Sequence, residues 1–243
     1  MRADGRRPDE LRPTTISPGF IGQALGSALV TAGRTRVICT ANLEPQTPGW
    51  LKRGGWVTAE YSMLPGATRP RGRRDPGGRG KEIQRLVGRS LRAAVDLGRL
   101  VGRDGPLSII CDCDVIEADG GTRTASITGG YVALVIALRR MVAQGILEAA
   151  PIIAPVAAVS VGMVALGGGK ETSALLDLPY AEDSVAAVDL NVVMRGEGMV
   201  EIQGTGEDGV FSRPELARML DLAEHGCRQL FAIQAAALEV ADA

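Results

Sequence analysis

The sequence predicts an α+β fold. Strand-like segments adjoin one another through short turns, as hairpins do, and a few long helical patterns separate those groups instead of alternating with every strand. With 243 residues, 45% of them hydrophobic, the chain can bury a full core as one domain spanning 1–243, with room for two lobes.

Residues 28–30 and 35–41 flank Ala32 and Gly33 and read as a hairpin, and 56–63 as a further strand. A basic loop follows at 66–81. Its stretch 69–81, RPRGRRDPGGRGK, sets Arg69, Arg71, Arg73, Arg74, Arg79 and Lys81 against Asp75 alone. Its glycines and prolines disfavour regular structure, and its arginines suit a phosphate-rich partner because a guanidinium forks onto phosphate oxygens. No aromatic residue interleaves with them, which points to backbone phosphates and not bases as the contact.

From Glu82 to about Leu97, Ile83, Leu86, Val87, Leu91, Ala94 and Val95 recur at helical spacing, and Arg85, Arg89, Arg92 and Arg99 fall on the opposite face. Arg85 is then in the first turn. Residues 107–116 alternate as a strand, with Cys111 and Cys113 inward and Asp112 and Asp114 outward. That strand leads into ADGGTRTASITGG at 118–130 and a deeply buried helix over 127–141. Glycine-rich backbone entering a helix N-terminus presents free N–H groups to an oxyanion, and Arg123 adds a cation; a tight turn would use the same glycines, and the two readings stand even.

Strands follow at 156–166, 173–178, 185–193 and 199–203, the last pair joined by the turn at 195–198. A long helix over 212–240 closes the chain, capped by Ser212 with Pro214 and Glu215 in its first turn.

The N-terminal residues 1–7 never enter an apolar run, and the apolar stretch 152–166 is short and broken by proline and glycine, so a cytoplasmic protein without a membrane partner is expected. Cys39, Cys111, Cys113 and Cys227 form no C-x-x-C pair and read as buried free thiols. The segment 167–172, GGGKET, fails as a P-loop because Val164 stands where the first glycine belongs and Glu171 where Ser or Thr does; a hairpin turn is expected. His225 is the only histidine and sits in the last helix, which excludes a histidine-based triad or metal cluster.

Carboxylates and arginines remain as the chemistry. Asp183 and Asp189 would lie about 20 Å apart on a continuous strand, so they share a site only if the chain bends, as Pro179 and residues 182–184 allow. An inward Asp189 between Val188 and Leu190 needs a partner, either a hydrated metal ion or a proton to transfer.

The segments WVTAEYSMLP at 56–65, EIQRL at 82–86, AAVDL at 93–97, CDVIEADGGTRTASITG at 113–129, AVSVG at 158–162, EDS at 182–184, DLNVVM at 189–194 and VEIQGT at 200–205, in this order, resemble the bacterial ribonuclease PH family. The resemblance implies the ribosomal protein S5 domain 2-like fold and a phosphate-dependent 3′→5′ exoribonuclease that trims tRNA precursors and releases nucleoside diphosphates. It implies phosphate binding by Arg85, Gly121, Thr122 and Arg123, catalysis and divalent metal binding, as Mg2+, by Asp183 and Asp189, and a hexameric ring built as a trimer of dimers. The basic loop, with Arg69, Arg71, Arg73, Arg74 and Arg79, corresponds to the segment that meets RNA and helps assemble the ring, and is a few residues shorter here than is usual. Inorganic phosphate, as the nucleophile, removes any need for a serine, cysteine or histidine nucleophile. The alternatives are a non-catalytic RNA-binding subunit of an exosome-like ring and a metal-dependent hydrolytic exonuclease.

Overall fold

A computed structural model describes residues 2–242 apart from 45, 75–76, 166–171 and 208–209. The turn expected within 167–172 therefore lies outside the described residues, as does Asp75.

The first half builds a five-stranded sheet. Strands β1 (Thr14–Pro18), β2 (Gly26–Ala32) and β3 (Thr35–Glu44) form an antiparallel meander, with β2 and β3 turning at Gly33. Strand β4 (Trp56–Met63) is followed by helix α1 (Gly77–Ala93), the small antiparallel pair β5 (Val101–Gly102) and β6 (Gly105–Pro106), and strand β7 (Ser108–Glu117). The spatial order is β1-β2-β3-β7-β4, with β4 parallel to β7 because α1 supplies the crossover between them. As the alternation predicts, Ile109, Cys111, Cys113 and Val115 of β7 are buried while Asp114 is exposed.

Helix α1 differs from the sequence expectation. It begins at Gly77, inside the basic segment, and ends at Ala93, so Gly78, Arg79, Gly80 and Lys81 are helical and Arg85 lies past the second turn. Glycine is a poor helix former, but Gly80 and Gly88 are both buried, and a Cβ on Gly88 would sit 3.3 Å from the Ala59 backbone nitrogen of β4. Close packing on the sheet outweighs local propensity. Arg92 is no solvated stripe residue either: its Nη1 donates to the Val57 carbonyl at 2.8 Å and its guanidinium stacks 4.4 Å from the Trp56 ring. Arg99 falls in a separate 3-10 turn.

Helix α2 (Thr122–Ala143) lies between the halves and is buried almost all round, from Thr124 to Leu138. By length and composition it alone among the described helices is apolar enough to cross a membrane; it is instead the core helix, packed on β2 and β3 on one side. On its other side lies a second sheet, of strands β8 (Val156–Ala165), β9 (Thr172–Leu176), β10 (Val188–Arg195) and β11 (Gly198–Gly206), antiparallel in the order β11-β10-β8-β9. A one-turn helix α3 (Tyr180–Asp183) connects β9 to β10, and the two-residue turn Gly196-Glu197 joins β10 to β11. Helix α4 (Arg213–Asp242) covers this sheet. The Ser212 backbone N–H donates to Glu215 Oε2 at 2.7 Å and the Glu215 N–H reaches back to Ser212 Oγ at 3.4 Å, the capping box expected there. All four cysteines are free and buried.

The tightest approach between α2 and the first sheet is at Gly26, where a Cβ would lie 2.0 Å from the Ala133 carbonyl oxygen. Gly26→Ala forces the helix off the sheet and should lower stability by about 3 kcal/mol, read as an earlier urea unfolding midpoint at unchanged slope.

Candidate active site

A cleft of about 1160 Å3 opens where α1 and α2 begin, and its far wall is α3 and the ends of β10 and β11. Arg79 and Gly80 from the first turns of α1 line one side, with Tyr61 of β4. No acidic residue occupies the first turn of α1, so its helix dipole and Arg79 add positive charge in one place. Gly121, Thr122 and Arg123 bring the N-terminus of α2 to the same space. Gly121 is its N-cap at φ 66°, and no side chain caps that end, so the first-turn N–H groups are left for another acceptor. The hydroxyls of Thr122 and Tyr61 hydrogen-bond at 2.9 Å, and Arg123 Nη1 reaches Gln203 Oε1 of β11 at 3.4 Å.

The glycine-rich entry makes a tight turn and leaves the helix N-terminus uncapped, so the two readings of it are compatible. Gly120, at φ 72°, packs so closely on the segment before α3 that a Cβ would lie 2.6 Å from the Leu178 carbonyl oxygen and 2.8 Å from the Tyr180 nitrogen. The tight turn fixes the distance between the α2 N-terminus and the segment that carries Asp183.

Asp183 ends α3 and Asp189 is the second residue of β10, so the bend does bring both carboxylates into one cleft. Burial and the neighbouring Asp183 charge push the Asp189 pKa up to about 6, against the opposing effect of Arg123. Burial likewise raises Asp183, opposed by Arg123 and Arg79. Asp189 Oδ2 accepts from Asn191 at 3.4 Å, while its buried Oδ1 has no partner. A cation would satisfy that oxygen and relieve the repulsion of the pair, so the donor set fits a hard divalent ion. Among the described residues no group of three or more His, Cys, Asp or Glu converges, which leaves the remaining positions around such an ion to water and substrate oxygens.

The arginines divide. Arg73, Arg74, Arg79 and Arg123 line the cleft. Arg69 and Arg71 do not, and Arg71 donates to the Gly72 carbonyl in the open. Arg85 is exposed on an adjacent groove with Lys81, Arg89 and Glu201, where Arg89 and Glu201 pair at 2.7 Å. Because α1 starts earlier than its apolar pattern suggests, Arg79 lines the cleft together with Arg123, while Arg85 lies on the adjacent groove.

Three N-terminal arginines were not singled out in the sequence, and all are buried. Arg2 holds Glu182 through both carboxylate oxygens, at 3.0 and 2.7 Å, which fixes the single turn of α3. Arg6 donates to the Asp177 carbonyl at 3.0 Å. Arg12 binds both carboxylate oxygens of Asp177, at 3.0 and 2.6 Å, and donates to the Asp119 carbonyl at 2.6 Å. The only available signal was arginines at 2, 6 and 12 in a tract of mixed charge, which ordinarily marks solvated chain.

A cationic wall with two helix N-termini facing a raised-pKa carboxylate pair is a site for phosphate chemistry on a polyanion. Residues 10–139 match the sequence profile of the 3' exoribonuclease family, domain 1, and residues 154–226 that of domain 2. Ribonuclease PH of Corynebacterium glutamicum is 53% identical over 98% of this chain and 97% of its own, and ribonuclease PH of Bacillus subtilis is 52% identical over 95% and 94%. A solved Archaeoglobus fulgidus exosome with RNA bound to its active site aligns at a TM-score of 0.78 and 26% identity, over 94% of this chain and 91% of that one. Rice Rrp46 aligns at a TM-score of 0.77 and 20% identity, over 98% and 100%, a likeness of fold alone. The chain belongs to the ribonuclease PH family of 3′ exoribonucleases. It is an enzyme that shortens RNA from the 3′ end by phosphorolysis, with inorganic phosphate as co-substrate.

Asp189 also predicts a stability effect. With its pKa raised from 3.8 to about 6 in the folded state, its ionisation opposes folding, and that cost is absent below about pH 4 and complete above pH 6. In metal-free buffer, Asp189→Asn should therefore raise the melting temperature at pH 7.5 and lose that advantage at pH 4; differential scanning calorimetry at the two pH values checks it.

Proposed function

We propose that Arg79, Arg123 and the α2 N-terminus hold the attacking phosphate, that Asp183 and Asp189 act at the scissile bond, and that the RNA is the 3′ extension of a tRNA precursor. The observation that supports this reading is the convergence of both cationic elements and both carboxylates on one cleft. Phosphate and the RNA phosphodiester are both negative, and their approach needs fixed positive charge that costs no reorganisation. Arg79 and Arg123 reach the cleft from two different helices, so one anion can be held from two sides.

Attack by phosphate forms a new P–O bond to the terminal phosphorus, breaks the bond to the 3′-oxygen of the preceding nucleotide, and releases a nucleoside diphosphate. The departing 3′-oxygen needs a proton. The attacking hydrogenphosphate carries that proton into the cleft, so both carboxylates can stay ionised as cation ligands. Asp183 and Asp189 would together hold Mg2+, which supplies positive charge to the departing oxygen. Arg73 and Arg74 at the cleft rim, with Arg69 and Arg71 outside it, meet the RNA backbone farther from the 3′ end. The chain works in the cytoplasm as a hexameric ring, a trimer of dimers, in which the basic segment also contacts a neighbouring subunit. A non-catalytic ring subunit has no use for a partnerless, buried Asp189 Oδ1 within the field of Arg123.

The direct test is to incubate the protein with a 3′-extended tRNA and Mg2+, with and without phosphate. Nucleoside diphosphates should appear only with phosphate; nucleoside monophosphates formed without it would identify hydrolysis instead.

Arg79→Ala or Arg123→Ala should raise the phosphate concentration needed for half-maximal rate at least tenfold and change tRNA affinity little, whereas Arg85→Ala should leave the phosphate requirement near wild type. A larger effect at Arg85 than at Arg79 would reverse this assignment. Asp189→Asn should retain less than a tenth of wild-type turnover at saturating phosphate, a barrier increase above about 1.4 kcal/mol.

A further inference from the structure

The cleft also contains an aromatic ring that neither the phosphate cradle nor the carboxylate pair uses. The chain has only two tryptophans, three tyrosines and three phenylalanines, and two of these aromatics, Tyr61 and Tyr180, line the cleft. Tyr61 is buried, with its hydroxyl held by Thr122. Tyr180 is 64% exposed, and among the described residues its side chain has no hydrogen-bond or ring partner. It opens the single turn of α3 that Asp183 closes. That turn is oriented by Glu182, whose carboxylate Arg2 clamps inside the protein, and it is preceded by Pro179, whose φ of −70° is fixed by its ring. Gly120 abuts the Tyr180 backbone nitrogen, so the position of its Cα is set from the other side as well. An apolar ring carried on so fixed a backbone at an open cleft wall leaves surface exposed to water that a ligand would cover. Val185, also 64% exposed, lines the same cleft.

We propose that Tyr180 is the stacking platform for a nucleobase at or next to the RNA 3′ end. This rests on the reading that the RNA enters this cleft. An exonuclease that removes one nucleotide after another meets all four bases at the same place. Hydrogen bonding to base edges would favour one of them, whereas every base has a π face, so stacking holds each in turn. The arginines grip phosphates and leave the base of the terminal nucleotide free to swing; a ring three residues from Asp183 restrains it where the phosphodiester must align.

The test uses the full-length enzyme, Tyr180→Ala and Tyr180→Phe, with a short oligoribonucleotide, either intact or abasic at its last or penultimate position. Binding is measured by fluorescence anisotropy without phosphate. Wild type should lose roughly tenfold in affinity when the stacked base is removed, Tyr180→Ala should bind the intact oligonucleotide roughly tenfold more weakly, and removing that base should then cost Tyr180→Ala almost nothing further. Tyr180→Phe should behave as wild type, and the phosphate requirement should be unchanged in all three. If Tyr180→Ala leaves affinity unchanged, or loses equally for intact and abasic oligonucleotides, the stacking assignment is wrong while the RNA path stands. If the double variant Arg73→Ala, Arg74→Ala also leaves affinity unchanged, the cleft is not the RNA path and the inference falls with it.

Discussion

The site depends on the ion pair between Arg12 and Asp177. Asp177 is buried in a left-handed conformation at φ 54°, a backbone state that a non-glycine residue adopts only at some cost. Burial alone would raise its pKa; the charge of Arg12 and its three hydrogen bonds outweigh that and hold the carboxyl below the ordinary carboxylate range. The pair ties three strangers in sequence together: the N-terminal segment, the glycine turn before α2 through the Asp119 carbonyl, and the end of β9 from which α3 departs. Removing either partner would leave the other charged and buried, the costly half of a buried ion pair. Its pH dependence is opposite in sign to that of Asp189. A depressed carboxylate stabilises above its unfolded pKa and loses that contribution as pH falls, while the raised carboxylate of the site favours folding only when protonated. The scaffold is thus held by one ionised aspartate, and the cleft contains another that resists ionisation.

Much of this was legible in sequence. The paired aspartates can be brought together only by a bend, and Pro179 with residues 182–184 mark it; the glycine run and Arg123 mark the tight entry into a helix whose N-terminus has no side-chain cap. Cys39, Cys111, Cys113 and Cys227 read correctly as buried thiols because spacing and alternation are local properties. What was missed is non-local. Helix α1 starts five residues before its apolar pattern does, because Gly77, Gly78 and Gly80 have weak intrinsic helix propensity that packing against β4 overrides. The extra turn puts Arg79 on the cleft lining, and Arg85 stands on the adjoining groove. Arg2, Arg6 and Arg12 pair with residues more than 160 positions away, so nothing near them in sequence reveals burial.

The charge arrangement explains how a chain of net charge −1 can handle two anions. Its positive charge is concentrated by two helix N-termini opening on one cleft, and its two site carboxylates stand opposite, their repulsion tempered by Arg123. Neither wall would suffice alone: arginines without carboxylates bind phosphate inertly, and carboxylates without arginines repel it.

Helix α2 ends at Ala143, before any residue of the second sheet has been synthesised. One of its sides is covered by strands that already exist at that moment, the other by β8 and α4, which come a hundred residues later in the case of the helix's last turns. The family models divide the chain into two consecutive modules, yet α2 of the first packs on β8 and α4 of the second. On the ribosome the emerging first module carries an apolar helix with one face bare, and that face stays open to water until β8 and the C-terminal helix arrive.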